Sequence, residues 1–106
     1  MEPLGRIGGA TVDVLRVLLD GGRPRWGLEI IKVTGRPSGS VYPLLERLER
    51  HGWVTSSWEE TDRRGPRRRM YELTADGARE AQRVCARADA RAAPVRSIRP
   101  IRPREA

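Results

Sequence analysis

The chain has 106 residues and a formal net charge of +7 at pH 7, which fits one small domain with an anionic partner, nucleic acid in preference to a membrane surface. Its aromatic residues are three tryptophans and two tyrosines, so the core is expected to be light and a partner subunit would help to stabilise it. A single cysteine excludes an intramolecular disulfide and a cysteine metal cluster, and it fits a reducing cytoplasm. No apolar run approaches about 18 residues, so we expect neither a membrane-spanning segment nor a signal peptide.

Arginine makes up almost all of the positive charge, because Lys32 is the only lysine among 21 lysines and arginines. Arginine suits bidentate contacts to phosphate and to guanine. A GC-rich genome would produce the same composition without any functional cause, so the arginine content alone does not decide between these explanations.

The first predicted helix runs from Thr11, whose hydroxyl can cap it, to Asp20, where a pair of glycines ends it. Residues 1–9 before it contain three glycines and a proline, and we expect them to be flexible. Six of the eight residues 12–19 are apolar, more than one helix face accommodates. The leucines are expected in the core: Leu15, Leu18 and Leu19. The remaining valines are left for a dimer contact or for the same core: Val14 and Val17.

A loop, residues 23–25, leads to a short second helix predicted over residues 26–33. Its inward side is predicted to include Ile31 together with either Leu28 or Ile30. Trp26 is interpreted as a core anchor, with a stacking platform for a ligand as the alternative. The turn that follows contains Arg36, which is placed to contact a DNA phosphate or else to remain solvated.

The third predicted helix begins near Ser38 to Ser40, with Pro43 close to its first turn, and stops at Gly52. Apolar residues recur at the spacing of one helix face: Val41, Leu44, Leu45 and Leu48. The other face is polar: Ser40, Tyr42, Glu46, Arg47, Glu49 and Arg50. An ordinary amphipathic surface helix would show the same pattern, but the small polar N-terminus also suits entry into a DNA groove.

Two β-prone runs, residues 53–60 and 67–73, flank Gly65-Pro66 and predict a hairpin with an arginine-rich tip. The tip contains five arginines and one aspartate between residues 62 and 69, five minus one or +4. Arginine at such a tip suits the minor groove of DNA, whereas a charge run of this kind can also be merely solvated.

A fourth helix is predicted from its cap at Thr74, with Asp76 in the first turn, to about Ala92. Its apolar stripe is small: Ala78, Ala81, Cys85, Ala88 and Ala92. Residues 93–106 form a basic tail interrupted by prolines. The tail is either a flexible tether or a polyproline II segment that docks its apolar edge on the protein.

Three segments match motifs of a known family. They are Trp26-Gly-Leu-Glu-Ile-Ile31, Gly39-Ser-Val-Tyr-Pro-Leu-Leu-Glu-Arg-Leu-Glu-Arg-His-Gly52, and Gly65-Pro-Arg-Arg-Arg-Met-Tyr-Glu-Leu-Thr74 followed by Gly77. With these residues the chain resembles the PadR family of transcriptional regulators over roughly residues 10–85, most specifically through Tyr42-Pro43. The resemblance implies a two-fold dimer formed by the last helix. Family members can also bind aromatic effectors near the dimer centre, but residues 75–92 contain no aromatic residue.

The expected fold is mainly α with a small β-hairpin (α+β), a winged helix–turn–helix with a C-terminal dimerisation helix. Its predicted parts are a flexible N-terminus (1–9), a DNA-binding winged-helix domain (10–73), the dimerisation helix (74–92) and the basic tail (93–106). The predicted DNA contacts are Arg36, Ser38, Ser40, Tyr42, Arg47, Arg63, Arg64, Arg67 and Arg68. The predicted dimer contacts are Val14, Val17, Ala81, Val84, Cys85 and Ala88.

The predicted function is that of a cytoplasmic, dimeric repressor that binds double-stranded DNA in a sequence-specific manner. A protein-interaction adaptor and a small-molecule-responsive sensor of the same fold are the alternatives. An enzyme is not expected, because His51 is a helix terminator and the chain lacks a phosphate-binding loop or a dinucleotide motif. No cofactor or metal is expected either.

Overall fold

The computed structural model describes residues 1–61 and 63–92, so Asp62 and the predicted tail lie outside the described residues. The described part contains four α-helices and a three-stranded antiparallel sheet. The helices are α1 (Gly9–Leu19), α2 (Gly27–Thr34), α3 (Ser38–Arg50) and α4 (Ala75–Ala92). The strands are β1 (Arg25–Trp26), β2 (Val54–Trp58) and β3 (Arg69–Leu73), in the order β1-β3-β2. No helix among the described residues is long and apolar enough to cross a membrane.

The core lies between the helices and the first residues of the hairpin. The α3 stripe predicted from the sequence is confirmed, because Val41, Leu45 and Leu48 are buried and Leu44 packs beside them. The largest fully buried side chains come from α1, α2, α3 and β2: Leu15, Ile30, Leu45, Leu48, Val14, Val41 and Val54. Two packed helices followed by a hairpin make this a winged helix–turn–helix, as predicted.

Helix α1 begins two residues before the predicted start. The Val12 N–H donates to the Gly8 carbonyl oxygen at 3.2 Å, and Thr11 lies inside the helix with only 5% of its surface exposed. The prediction that Thr11 caps α1 is therefore wrong. The two glycines do end the helix, through a 3-10 turn over Asp20–Gly22.

The N-terminal segment differs from the flexible chain expected from its glycines. The Glu2 N–H donates to the His51 carbonyl at 2.8 Å, and the Trp53 indole N–H donates to the Glu2 carbonyl at 2.7 Å. Leu4 is 7% exposed and joins the core. Because these contacts involve residues about 50 positions apart in the chain, no local pattern predicts them.

Strand β1 was missed, since residues 23–25 were assigned to a loop. Arg25 pairs with Tyr71, and Trp26 pairs with Met70. Arg25 is buried, with 6% exposed, and donates to Asp20 Oδ2 at 3.0 Å and to Glu29 Oε2 at 2.8 Å. Two residues are too few to show the alternating pattern of a strand. The burial of Arg25 depends on its ion pairs with Asp20 and Glu29, which the sequence pattern does not identify.

The junction between α3, the hairpin and α4 follows the local signals. Gly52 has φ +82° and ends α3, and the Trp53 N–H donates to the Leu48 carbonyl at 2.9 Å, the pattern of a Schellman cap. Thr74 caps α4 as predicted, because its Oγ1 accepts from the Gly77 N–H at 2.9 Å and donates to the Gly52 carbonyl at 2.9 Å. A Cβ at Gly77 would lie 2.8 Å from the Trp53 carbonyl carbon, so only glycine fits there.

Helices α1 and α4 pack on each other within one chain, which changes the interpretation of the predicted dimer contacts. Five of the six predicted residues are no more than 7% exposed: Val14, Val17, Ala81, Val84 and Cys85. The sixth, Ala88, is partly buried against the same core. Burial raises the pKa of the Cys85 thiol. Within the single chain these side chains are covered by the packing of α1 on α4, and their part in a dimer stays a prediction.

Candidate nucleic-acid interface

The first turns of α3 form a small, polar and exposed surface. Ser38, Gly39 and Ser40 are exposed, and Tyr42 is 42% exposed, while Val41 between them is buried. The Ser40 and Val41 N–H groups both donate to the Pro37 carbonyl, at 2.9 and 3.0 Å. The first N–H groups of a helix have no partner within it and favour anions, so this end suits a phosphate or a base edge.

The Tyr42 ring is positioned by a glycine on the neighbouring helix. A Cβ placed on Gly27 would lie 2.8 Å from Cε1 and 3.3 Å from the hydroxyl oxygen of Tyr42. The ring therefore occupies the space that a side chain at residue 27 would need, at the N-terminus of α2. Sequence reasoning missed this function of Gly27, because the two residues become neighbours only when α2 and α3 pack.

A relay of hydrogen bonds joins α3 to the hairpin. Arg69 Nη2 donates to Ser56 Oγ at 2.7 Å, and Ser56 Oγ donates to Glu49 Oε2 at 2.6 Å. The polar face of α3 and strand β3 line a cleft of about 370 Å³ beside this relay. Tyr42 and Tyr71 also line the cleft. Burial raises the pKa of the Tyr71 hydroxyl. The relay thus connects Glu49 of α3 to both strands of the hairpin.

The hairpin arginines stack on two tryptophans. The Arg68 guanidinium lies 4.0 Å from the centre of the Trp26 ring, and that of Arg69 lies 5.0 Å from the Trp58 ring. Trp58 is 52% exposed and Trp26 is half-buried, whereas Trp53 is 2% exposed. Trp26, interpreted from the sequence as a core anchor, is therefore only half-buried, and its ring stacks with the Arg68 guanidinium.

Three predicted DNA contacts are already hydrogen-bonded within the protein. Arg36 pairs with Asp13, with Nε 3.0 Å and Nη2 2.9 Å from Oδ2. Arg47 donates to the Leu4 carbonyl and so ties α3 to the N-terminal segment. Arg63 donates to Glu59, to the Arg64 carbonyl at 3.1 Å and to the Pro66 carbonyl at 2.9 Å. These guanidinium groups are therefore bound within the protein, a property that the sequence alone does not show.

The remaining predicted contacts lie where the helix and the wing expose them. Arg64 and Arg67 are exposed at the hairpin tip, and among the described contacts Arg67 donates only to the Glu59 carbonyl, at 3.2 Å. The structure therefore brings a small polar helix end and an arginine-rich wing onto one framework.

The model of the transcriptional regulator PadR-like family matches residues 14–83. The chain belongs to the PadR-like family. It is a transcriptional regulator of the winged-helix, DNA-binding type. No curated protein matches the chain.

Solved structures of PadR-like proteins have the same fold. A PadR-like transcription factor from Bacteroides fragilis is 25% identical, with a TM-score of 0.64 over 82% of this chain and 86% of its own. A PadR-family regulator from Eggerthella lenta is 26% identical, with a TM-score of 0.62 over 84% of this chain and 82% of its own. The circadian-clock-associated protein Pex from Anabaena is 27% identical, with a TM-score of 0.61 over 83% of this chain and 80% of its own.

Proposed function

We propose that this PadR-like chain is a cytoplasmic repressor that binds a roughly palindromic DNA site as a homodimer. The observation that supports this most directly is the exposed N-terminal end of α3, where Ser38, Gly39 and Ser40 are small enough to enter a DNA groove. One α3 of each subunit enters a major groove, with half-sites about one helical turn apart.

Within this proposal the polar helix end provides sequence recognition. Ser38 and Ser40 lie nearest the base edges and the adjacent phosphates, and Tyr42, which is 42% exposed, contacts a base or a phosphate. Tyr42 is suited to this because its ring is held against Gly27 and loses little freedom on binding.

The wing provides affinity that depends little on sequence. Arg64 and Arg67 contact the flanking backbone or the minor groove, with Arg68 beside them on Trp26. Arg36, Arg47 and Arg63 are assigned a supporting role, since their guanidinium groups bind other parts of the protein.

Two alternatives have weaker support. A protein-interaction adaptor would need an apolar surface on α3, whereas the exposed residues at its N-terminal end are small and polar apart from Tyr42. A small-molecule sensor would need an effector site, for which the apolar cleft of about 390 Å³ between the N-terminal segment, Trp53 and Val84 is the place to search. The proposal includes no catalytic activity, in keeping with a family of transcriptional regulators.

Base recognition by α3 is tested with an operator selected from random DNA. Ser40→Leu should lower operator affinity by about 1–3 kcal/mol per half-site, because the larger side chain meets the groove floor. Gln82→Leu places the same side chain on an exposed position of α4 and serves as the control once light scattering shows that it assembles as the parent chain does. Equal operator affinity for the two variants in a fluorescence anisotropy titration would contradict the proposal.

The role of the wing is tested through salt dependence. Arg64→Ala with Arg67→Ala should weaken binding to every DNA sequence and change the slope of log K against log salt by roughly 0.9 per lost phosphate contact. The matched control is Arg83→Ala with Arg87→Ala, which removes the same charge from the exposed side of α4, and light scattering must show that it assembles as the parent chain does. If both double variants change the slope equally, the wing only contributes net charge.

A further inference from the structure

Among the described residues of the wing tip, the carboxylate of Glu59 collects the arginine contacts. Glu59 Oε1 accepts hydrogen bonds from Arg63 Nε at 2.9 Å and from the Arg68 backbone N–H at 3.2 Å. Arg68 Nε lies 3.9 Å from the same oxygen. The carboxylate is thus shared between two arginines that follow it by four and nine positions in the chain.

The backbone of Glu59 holds the base of the same loop. Its N–H donates to the Arg68 carbonyl at 2.8 Å, and its carbonyl accepts from Arg67 Nε at 3.2 Å. Three of the tip arginines, Arg63, Arg67 and Arg68, therefore bind Glu59. Its side chain is only 18% exposed, against 34% for Arg63 and 40% for Arg68.

The neighbouring Glu60 carries the same charge but is exposed, and no side-chain contact is described for it. Adjacent residues of an extended chain point to opposite sides, so only one of the two glutamates faces the loop. The sequence Glu59-Glu60 does not distinguish them; the backbone pairing of Glu59 with Arg68, just beyond the end of β2, does.

We propose that Glu59 is a positioning residue for DNA binding: it holds the wing arginines in the arrangement that fits the DNA backbone, although its own charge repels DNA. This inference rests on the proposed contact between the wing and DNA. Four like charges at residues 63, 64, 67 and 68 repel one another, and an acceptor at the centre of the loop offsets that repulsion. Pre-ordering the arginines also lowers the entropy lost when they bind.

The carboxylate is charged under ordinary conditions. Burial alone would raise its pKa, but the hydrogen bonds from Arg63 and from the Arg68 backbone outweigh burial and lower the pKa of Glu59 below that of a free glutamate. Glu59 therefore acts as an anion wherever the DNA-binding assay is performed near neutral pH.

Two effects of removing Glu59 have opposite signs, which makes the inference testable. Loss of one negative charge near DNA should strengthen binding, whereas loss of the ordered wing should weaken specific binding. Glu59→Ala is expected to weaken operator binding about tenfold, an amount similar to the loss of one charge-assisted hydrogen bond. Glu60→Ala, which removes the same charge one residue away, is expected to leave operator binding unchanged or tighter.

Two further measurements separate positioning from a general loss of structure. Glu59→Gln keeps an acceptor oxygen at the same place and should recover part of the lost affinity. Binding of Glu59→Ala to non-operator DNA should weaken by a similar factor, because the proposed wing contacts are to a backbone that every sequence shares. A loss of affinity for both DNAs in a variant that has lost a negative charge, with thermal unfolding of the domain retained, supports positioning.

The outcomes also distinguish this inference from the proposed function on which it rests. If Glu59→Ala binds the operator as tightly as Glu60→Ala while the Arg64 and Arg67 double variant weakens binding, the wing contacts DNA and the positioning role is refuted. If that arginine double variant binds as its α4 control does, the proposed wing contact itself fails, and the positioning role fails with it.

Discussion

Single residues in this molecule act mainly by leaving space or by accepting a hydrogen bond. Gly27 makes room for the Tyr42 ring, and Glu59 gathers three wing arginines. Neither residue needs to touch DNA to affect binding. In the proposed interface, the residues that position it are therefore different from those that form it, and mutations at the two kinds of site can be told apart by their coupling.

The coupling between Gly27 and Tyr42 gives the first prediction. Gly27→Ala would place a Cβ 2.8 Å from Tyr42 Cε1, and the flexible ring can swing away, so folding should be kept while operator affinity falls about 5- to 20-fold. Tyr42→Ala should lower affinity by a similar factor.

A double-mutant cycle checks this prediction, because the Gly27→Ala effect should disappear in the Tyr42→Ala background. Additive losses in operator titrations would show that Gly27 acts without Tyr42. Thermal unfolding of each variant controls for changes in stability.

The ion pairs of Glu29 give a prediction for pH. Burial raises the pKa of Glu29, but hydrogen bonds from Arg23 at 3.1 Å and from Arg25 at 2.8 Å outweigh burial, and the net shift is downward. A carboxylate whose pKa is lower in the folded state stabilises that state above its unfolded pKa, roughly 4.3, and this stabilisation is lost as the pH falls through the folded value. At pH 7, Glu29→Gln should therefore reduce the free energy of unfolding by about 1–3 kcal/mol.

Urea denaturation at several pH values measures the effect. The difference between the parent chain and Glu29→Gln should shrink as the pH falls below about 4.3. Glu46→Gln, on the exposed side of α3, should differ little from the parent at any of these values. A difference that persists unchanged at acidic pH would show that packing, and not the ion pairs, is responsible.

At the scale of secondary-structure elements, the sequence predicts the features that depend on neighbouring residues in the chain. The α3 stripe, the Gly52 stop and the Thr74 cap are all confirmed, because each depends on residues within a few positions. Strand β1 and the docked N-terminal segment escaped prediction, since their partners lie far away in the chain. For the candidate site, residue types indicated a polar helix end and a basic wing, but only the packing separates arginines bound within the protein from those exposed.

The contact between α4 and the α3–β2 corner gives the next prediction. Gly77→Ala should destabilise the fold by about 3 kcal/mol, because its Cβ would overlap the backbone carbonyl of Trp53, which cannot move independently. Gly39→Ala is the matched control, since nothing lies within 4 Å of a Cβ there and alanine favours a helix. Equal melting temperatures for the two variants would mean that α4 packs less closely than described.

At the scale of the whole molecule, the apolar faces of α1 and α4 cover each other within one chain. Helix α4 buries Ala81, Val84 and Cys85 against α1, and the Arg16–Asp89 pair closes the same contact at 2.6 Å. If the chain dimerises as proposed, contacts through these side chains require α1 and α4 to rearrange, whereas contacts through other surfaces leave the α1–α4 core intact.

A substitution at Val14 tests whether the α1 valines belong to the core of one chain or to a dimer interface. It is 0% exposed within the single chain, so Val14→Asp should bury an unpaired carboxylate and remove at least about 3 kcal/mol of stability. The expected result is a loss of cooperative thermal unfolding. Val33→Asp introduces the same side chain at a position that is 61% exposed and should leave folding intact. A Val14→Asp chain that folds normally but becomes monomeric would instead show that Val14 lies in the dimer interface.

Light scattering of the parent chain across concentrations tests the dimer itself, because a monomer with full operator affinity would contradict the two-fold arrangement.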